Sequence, residues 1–152
     1  MAIEETLVLC KPDAVVRGLV GEIVGRFERR GFTLAAMKVM QCDETRAKRH
    51  YAEHEAKPFF AGLVAYITSA PIVAMVVRGS DAIEGCRATI GATNPIKAPP
   101  GSIRGDLAQT IGRNLIHGSD SAESAAREIG TWFDPSEIFA RAHDQEEWLV
   151  AT

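Results

Sequence analysis

The sequence predicts an α+β domain whose elements follow the order β-α-β-β-α-β. Four short apolar runs have the length and composition of buried strands. Segments with apolar residues at helical spacing lie between them, and capping residues or glycines mark several of their ends. The 152 residues fit one domain, 1–152, because no linker or repeat divides them. This order is the split βαβ plan, in which right-handed crossovers would place the helices on one face of an antiparallel four-stranded sheet.

The first half of the chain contains two of the strands. Residues 6–10 form the first strand, which Lys11-Pro12-Asp13 ends. Apolar residues then recur at helical spacing, and a glycine follows where a helix C-cap would lie: Val20, Ile23, Val24, Phe27 and Gly31. Residues 32–41 form the second strand, and Asp43 caps a short helix that runs through Ala52.

A further helix is predicted before the third strand. Pro58 suits its first turn, and its inward face would consist of Phe60, Leu63, Val64 and Ile67. Phe59 falls outside that stripe, which is more typical of a rim residue than of a binding platform.

The third strand, 72–77, leads into another helix. Asp81 and Glu84 form a capping pattern for this helix, which ends near Gly91. Residues 92–114 form a connection so long that it is expected to be functional or disordered.

The last strand leads into His117, and Gly118 breaks the apolar pattern immediately afterwards. The last long helix covers about 121–130, with Asp120 as its N-cap and Glu123 three residues on. Trp132 and Phe133 are expected to pack, and the tail 136–152 is less regular.

The composition is that of an ordinary globular protein, with 46% hydrophobic and 24% charged residues. A net charge of −3 argues against a general nucleic-acid coat protein, so no specific nucleic-acid partner is expected. No apolar run approaches transmembrane length and no secretion signal is visible, so no membrane partner is expected. The three separated cysteines indicate reduced thiols, and we therefore predict a cytoplasmic protein.

A histidine at a strand end, with several cations and polar donors near other element ends, indicates phosphate chemistry. Imidazole is suited to nucleophilic attack near neutral pH. The donors that suit phosphate oxygens are Lys11, Arg87, Arg104 and Asn114. Each of them alone is more typical of a solvated surface, and a lone strand-end histidine is more often structural, so the prediction rests on their combination.

Glu128 follows His117 by eleven residues and lies in the next predicted helix. Its carboxylate could fold back and orient the imidazole. The alternative is an exposed helix charge that pairs with Arg127 or another neighbour.

Other signals in the sequence do not support a site. There is neither a P-loop nor a dinucleotide-binding G-x-G-x-x-G after a strand. His50 and His54 have the spacing of zinc ligands but no third ligand nearby in the sequence, so we interpret them as a helix surface. The tripeptide Arg104-Gly105-Asp106 is a coincidental match to a cell-adhesion motif.

Several motifs in order resemble the nucleoside diphosphate kinase family. The segment N-L-I-H-G-S-D at 114–120 closely resembles the family's active-site signature. Matching motifs cover essentially the whole chain: K-P-D at 11–13, R-G-L-V-G-E-I at 17–23, H-Y-A-E-H at 50–54, K-P-F-F at 57–60, G-A-T-N-P at 91–95 and P-G-S-I-R-G-D at 100–106.

The resemblance implies a ferredoxin-like fold and ping-pong transfer of a γ-phosphate from a nucleoside triphosphate, typically ATP, to a nucleoside diphosphate. It implies that His117 becomes a pros-phosphohistidine and that Ser119 and Glu128 support it. It assigns contacts with phosphates, ribose or the reacting centre to Lys11, Tyr51, Arg87, Thr93, Arg104 and Asn114. It implies that Phe59 stacks on the base, and that Mg²⁺ is carried by the nucleotide phosphates with no direct protein ligand.

Two positions depart from the family pattern, because Ala14 and Val16 stand where glycine and glutamine are usual. We expect a packing effect at these two positions, within the subunit or at a subunit contact. The resemblance also implies a homo-oligomer, and the length of the tail favours a hexamer over a tetramer. The alternatives are a nucleotide-sensing module without turnover, which would need no nucleophile, and an added partner- or DNA-binding role.

Overall fold

The structure is a computed structural model that describes residues 2–151. Within them the strands form one antiparallel sheet with the spatial order β2-β3-β1-β4. Their bounds are Ile3–Cys10 for β1, Thr33–Met40 for β2, Ile72–Ser80 for β3 and Ile116–Gly118 for β4. The predicted α+β class and the ferredoxin-like order are confirmed.

The helices occupy the segments between and after the strands. They are α1 (Pro12–Val16), α2 (Val20–Arg29), α3 (Glu44–His50), α4 (Phe60–Ile67), α5 (Ala82–Ile90), α6 (Ile103–Leu107), α7 (Ala122–Trp132) and α8 (Glu146–Leu149). Short 3-10 segments cover Ala52–His54, Pro95–Lys97 and Pro135–Glu137. Over residues 2–151, every helix is too short or too polar to cross a membrane.

The sheet is covered on both faces, because alternate residues of β1 enter different cores. Val8 and Cys10 pack under α2 and α5, the two crossover helices. Leu7 and Leu9 face the opposite way, toward α3, α4 and the end of α7. The prediction that helices share one face therefore holds for the crossover helices only, since the additional helices bury the second face.

β1 ends at Cys10, as predicted, and Lys11-Pro12-Asp13 then leads into α1, whose first turn accepts Pro12. One predicted helix start is wrong. Pro58 precedes α4, which begins at Phe60 after Phe59 in the N-cap position.

Two predicted N-caps are also wrong. Asp81 occupies the N-cap position of α5 in a left-handed conformation and makes no capping bond there. The carboxylate of Glu4, from β1, instead accepts a hydrogen bond from the Ile83 N–H of that helix. Ser121, not Asp120, caps α7 by accepting from the Ser124 N–H.

The long connection 92–114 is folded against the body of the protein. It contains α6, and Arg26 of α2 bonds both the Gly101 carbonyl (3.0 Å) and the Asp106 carboxylate (2.7 Å). Asp106 also accepts from the Gly101 N–H at 2.9 Å. This network holds the connection beside the end of β4, where the candidate site lies.

Candidate active site

His117 lies in the middle of β4, a three-residue strand at one edge of the sheet. It pairs with Leu9, so its side chain lies on the same face as Leu9, toward α3 and α7. Ser119 extends the pairing, since its N–H donates to the Leu7 carbonyl at 3.1 Å. The central strand therefore fixes the position of the histidine backbone.

Glu128 and Ser119 hold the His117 ring. The Nε2 atom of His117 lies 2.6 Å from Oε1 of Glu128, and the Ser119 hydroxyl donates to the same oxygen at 2.9 Å. The Glu128 side chain is only 7% exposed, against 23% for His117. The structure contradicts the alternative of an exposed Glu128 paired only with Arg127, whose guanidinium is 3.7 Å from the other carboxylate oxygen.

His50 is buried, so the interpretation of His50 as helix surface is wrong. Its ring packs edge-on against His117, with 4.6 Å between the ring centroids. The indole N–H of Trp132 donates to His50 Nδ1 at 3.1 Å. The sequence contained a signal for this, because Ala47, His50 and Tyr51 share the i, i+3, i+4 spacing of a buried helix face.

The chain enters β4 through a strained residue, Leu115. Its φ of 73° is unusual for a residue with a side chain, and the side chain is fully buried. The Leu115 N–H donates to the Asp13 carboxylate at 3.1 Å, and its carbonyl accepts from the Lys11 N–H at 2.8 Å. The Tyr66 hydroxyl donates to the other Asp13 oxygen. Asp13 and Tyr66 thus fix the backbone just before β4, a role that was not predicted for either residue from the sequence.

Lys11, Asn114 and Thr93 form a chain of contacts beside His117. The Lys11 ammonium donates to Asn114 Oδ1 at 2.9 Å, and Asn114 Nδ2 donates to the Thr93 carbonyl at 3.1 Å. Burial, followed by the nearby Arg104 guanidinium, lowers the pKa of Lys11 to about 8. Lys11 and Asn114 therefore join the end of β1 to the long connection.

Arg104 is buried and spans three carbonyl groups. Its guanidinium donates to the carbonyls of Asn114 (3.1 Å), Gly91 (3.1 Å) and Ile116 (2.5 Å). Burial and the neighbouring Arg87 lower its pKa to about 10, so it stays charged at neutral pH. Arg104 therefore joins the long connection to β4 and places positive charge beside the nucleophile candidate.

The remaining predicted residues lie at the rim of the site. Arg87 is exposed and donates to the Gly118 carbonyl at 3.1 Å, and Thr93 is exposed in the long connection. Phe59 is half-exposed and lies apart from the hydrogen-bonded set, 5.5 Å from the His54 ring and 5.6 Å from the Lys57 ammonium. The structure thus brings all the predicted residues except Phe59 into one connected group.

Tyr51 is buried beside His50, and its hydroxyl has no hydrogen-bond partner among the described residues. Burial raises the pKa of this hydroxyl, which therefore remains a donor. A buried donor without a protein partner is costly, so this hydroxyl is expected to bond a water or ligand oxygen.

The donor chemistry around His117 suits phosphate oxygens better than a metal ion. Within residues 2–151, one donor atom each of His50, His117 and Glu128 lie within 4.8 Å of one another. Glu128 already accepts two hydrogen bonds there, and the other groups that line the site are cations, amides and hydroxyls. Such groups bind phosphate oxygens, whereas Mg²⁺ prefers carboxylate, carbonyl and water oxygens.

Known proteins match this chain over nearly its whole length. The family described as "Nucleoside diphosphate kinase" matches residues 4–138. A nucleoside diphosphate kinase of Gloeobacter violaceus is 57% identical over 96% of this chain and 98% of that protein. One from Staphylococcus aureus is 53% identical over the same shares of the two chains.

Solved structures agree. A halophilic nucleoside diphosphate kinase of Halobacterium salinarum, in complex with CDP, is 47% identical with a TM-score of 0.95 over 99% of this chain and 100% of that one. A nucleoside diphosphate kinase family protein of Babesia bovis is 39% identical with a TM-score of 0.93, over 97% and 99% of the two chains.

Proposed function

The chain belongs to the nucleoside diphosphate kinase family, and we propose that His117 carries the phosphate in the reaction of this family. The protein is a phosphotransferase that moves the γ-phosphate of a nucleoside triphosphate to a nucleoside diphosphate. The reaction is ping-pong and passes through a phosphohistidine.

The contact between His117 and Glu128 carries the proposal. An ionised carboxylate only accepts hydrogen bonds, so Nε2 of His117 must hold the proton in the 2.6 Å contact. In a neutral imidazole the other nitrogen, Nδ1, then has a free lone pair. No hydrogen bond to Nδ1 occurs within residues 2–151, and the ring is partly exposed. Nδ1 is thus the nucleophile, and attack on the γ-phosphorus yields the pros-phosphohistidine.

Glu128 and Ser119 support this attack. As Nδ1 forms a bond to phosphorus, positive charge develops on the ring, and the Glu128 carboxylate beside Nε2 stabilises it. Ser119 donates to the same carboxylate and keeps it aimed at the ring. The leaving diphosphate departs with the electron pair of the broken P–O bond.

Lys11, Arg87 and Arg104 stabilise the negative charge on the transferring and leaving oxygens, because charge-assisted donors are strongest where water is excluded. Asn114 and Thr93 add neutral donors, and the free hydroxyl of Tyr51 supplies another close to the histidine pair. Phe59 stacks on the base of the nucleotide. Because stacking depends on the flat face that every base has, the site should accept purines and pyrimidines alike.

We also propose Mg²⁺ as the cofactor. When bound, it would neutralise charge on the nucleotide phosphates, and the phosphate oxygens themselves would be its ligands. The cationic and neutral donors of this chain fit such a metal–nucleotide complex, because they would bind phosphate oxygens and need not bind the metal.

The test is to label the enzyme with ATP that carries a radioactive γ-phosphate, without an acceptor. A phosphoramidate is labile in acid and stable in base, unlike phosphoserine. We expect acid-labile label in the wild type and in Ser119→Ala, and none in His117→Ala. Label that survives acid, or that persists without His117, would show that the nucleophile is another residue.

We propose a homo-oligomer, with a hexamer favoured over a tetramer. The edge strand β2 carries exposed Met37 (46%) and Val39 (69%), and the unusual Val16 is 74% exposed. Apolar residues on an unpaired strand edge favour association. Light scattering at micromolar concentration would show a stable monomer if this proposal were wrong, and a tetramer would exclude the hexamer.

We propose that the protein works in the cytoplasm. All three cysteines are buried and unpaired in the structure. Burial raises the pKa of each thiol, to about 11 for Cys42 and about 12 for Cys10 and Cys86, so they stay protonated and unreactive. Fractionation of cells that express the chain at its natural level would locate it.

A further inference from the structure

Trp132 and His50 form a buried pair that has no role in the transfer described above. Both side chains are buried, with exposed fractions of 1% and 5%. They come from α7 and the end of α3, and the His50 ring lies against His117. His50 therefore contacts the proposed nucleophile directly, and Trp132 contacts His50.

The hydrogen bond between them fixes the state of His50. An indole N–H can only donate, so His50 Nδ1 accepts and must be unprotonated. The proton of the neutral ring then lies on Nε2, which has no lone pair to offer to a metal. This tautomer argues against the cluster of His50, His117 and Glu128 as a metal site.

The groups around His50 also oppose a second proton. His117 of β4, Lys11 after β1, Arg127 of α7 and His54 of the 3-10 segment all disfavour a charge there, in addition to burial. The Glu128 carboxylate within 4.8 Å acts in the opposite sense. Together, with burial the largest cause, these groups hold the pKa of His50 well below its usual range.

We propose that Trp132 and His50 are positioning residues, in which the indole N–H holds a neutral imidazole edge-on against the ring of His117. The inference rests on the proposed role of His117. Without the indole N–H, the Nδ1 atom of His50 would be free to take a proton. A charged His50 in contact with His117 would then oppose the positive charge that develops on the His117 ring during attack on phosphorus.

The test compares Trp132→Phe with the wild type, and the same change in a His50→Phe background. Trp132→Phe keeps an aromatic ring and removes the N–H. The rate constant of phosphoenzyme formation from ATP is measured from pH 5.5 to 7.5, together with KM for ATP.

We expect the ratio of the Trp132→Phe rate to the wild-type rate to fall as the pH is lowered from 7.5 to 5.5, because only in the variant is Nδ1 of His50 free to take a proton. KM should stay unchanged. In the His50→Phe background the same substitution should give a ratio that does not depend on pH, because no titrating ring remains. A pH-independent ratio in both backgrounds, or a fall in both, would overturn the proposal.

Nitrogen NMR of the histidine rings gives a readout that does not require phosphotransfer. Wild-type His50 should remain neutral, with the proton on Nε2, from pH 5.5 to 8, and His50→Phe identifies its signals. A His50 that titrates in the wild type, or that carries its proton on Nδ1, would refute the pair even if Trp132→Phe failed to fold. If His50 behaves as expected but His117→Ala is still phosphorylated, the assignment of the nucleophile fails and the tautomer stands.

Discussion

The two ends of the proposed nucleotide site differ in how completely the protein itself holds them. The partly exposed His117 ring contacts the buried Glu128 carboxylate, which the Ser119 hydroxyl holds in turn. Phe59 is half-exposed and makes only loose ring contacts with its neighbours. The chemistry is therefore preorganised, whereas the base end is left to be ordered by the nucleotide.

This difference predicts which residues should affect nucleotide binding and which should affect the rate of phosphate transfer. Groups that are already placed cost nothing to reorganise when charge develops, so their loss should lower kcat. Exposed groups that contact any nucleotide in the ground state should mainly alter KM.

The largest effect is expected from Glu128→Gln at the preorganised end. The amide cannot stabilise the imidazole charge as a carboxylate does, so we expect kcat to fall by about 10²-fold or more with KM little changed. Steady-state kinetics with the matched surface variant Glu123→Gln, on the same helix, provides the control. A rise in KM at unchanged kcat would remove the contrast between the two ends.

Arg104→Lys tests the contrast between buried and exposed groups by its effect on the free energy of unfolding. The ammonium cannot reach three carbonyls, so we expect a loss of about 3 kcal/mol of unfolding free energy, since buried groups lose their partners. Arg87→Lys, at an exposed site with a single carbonyl bond, should cost less than about 1 kcal/mol. Urea titration measures both, and equal losses would show that Arg104 is not a structural link.

A smaller effect is expected on the pH dependence of nucleotide binding, through the charge of Lys11. The depressed pKa of Lys11, about 8, means that the free enzyme loses this charge above pH 8. If the nucleotide requires the charge, its dissociation constant should rise about tenfold between pH 7 and 9. Lys11→Arg should flatten this dependence, since arginine stays charged. A wild-type profile as flat as that of Lys11→Arg would contradict the prediction.

As the pH rises, the free energy of unfolding should increase, whereas nucleotide affinity should decrease. Between pH 8 and 10.5 the unfolded chain binds more protons at Lys11 than the folded, ligand-free protein does. The unfolding free energy of the ligand-free protein should therefore rise with pH through this window. Denaturant titrations of the wild type and of Lys11→Met isolate this contribution.

The smallest effect is expected at the exposed end. Phe59→Ala should weaken all nucleotides by a similar factor, at or below the low end of the roughly 1–3 kcal/mol that stacking contributes per base. Dissociation constants for one purine and one pyrimidine nucleotide check this. Weaker binding of the purine alone would mean that Phe59 reads the identity of the base.

The sequence predicted the sheet well because strand patterns depend on residues next to one another. All four strands and the position of His117 at the last of them followed from short apolar runs. Glu128 was also predicted as the partner of the ring, because eleven residues across a turn can return to the same side.

Features that depend on distant contacts were harder to predict. The N-cap role of Asp81 failed because Glu4, far away in the chain, binds the helix N–H instead. His50 was assigned to the surface because the sequence did not predict that helices also cover the second face of the sheet, where His50 is buried. Asp13 was read as the end of a strand, and its bond to Leu115 links residues about a hundred positions apart.

That separation has a consequence for synthesis of the protein on the ribosome. His117 pairs with Leu9, and Ser119 bonds Leu7 across 112 positions of the chain. The first three strands leave the ribosome well before β4, so the nucleophile joins the sheet only when the chain is nearly complete. A nascent chain that stops before β4 contains Lys11, Arg87 and Arg104 but lacks His117, the proposed phosphate acceptor. We therefore expect enzymatic activity only after translation has passed residue 117 and β4 has paired with β1.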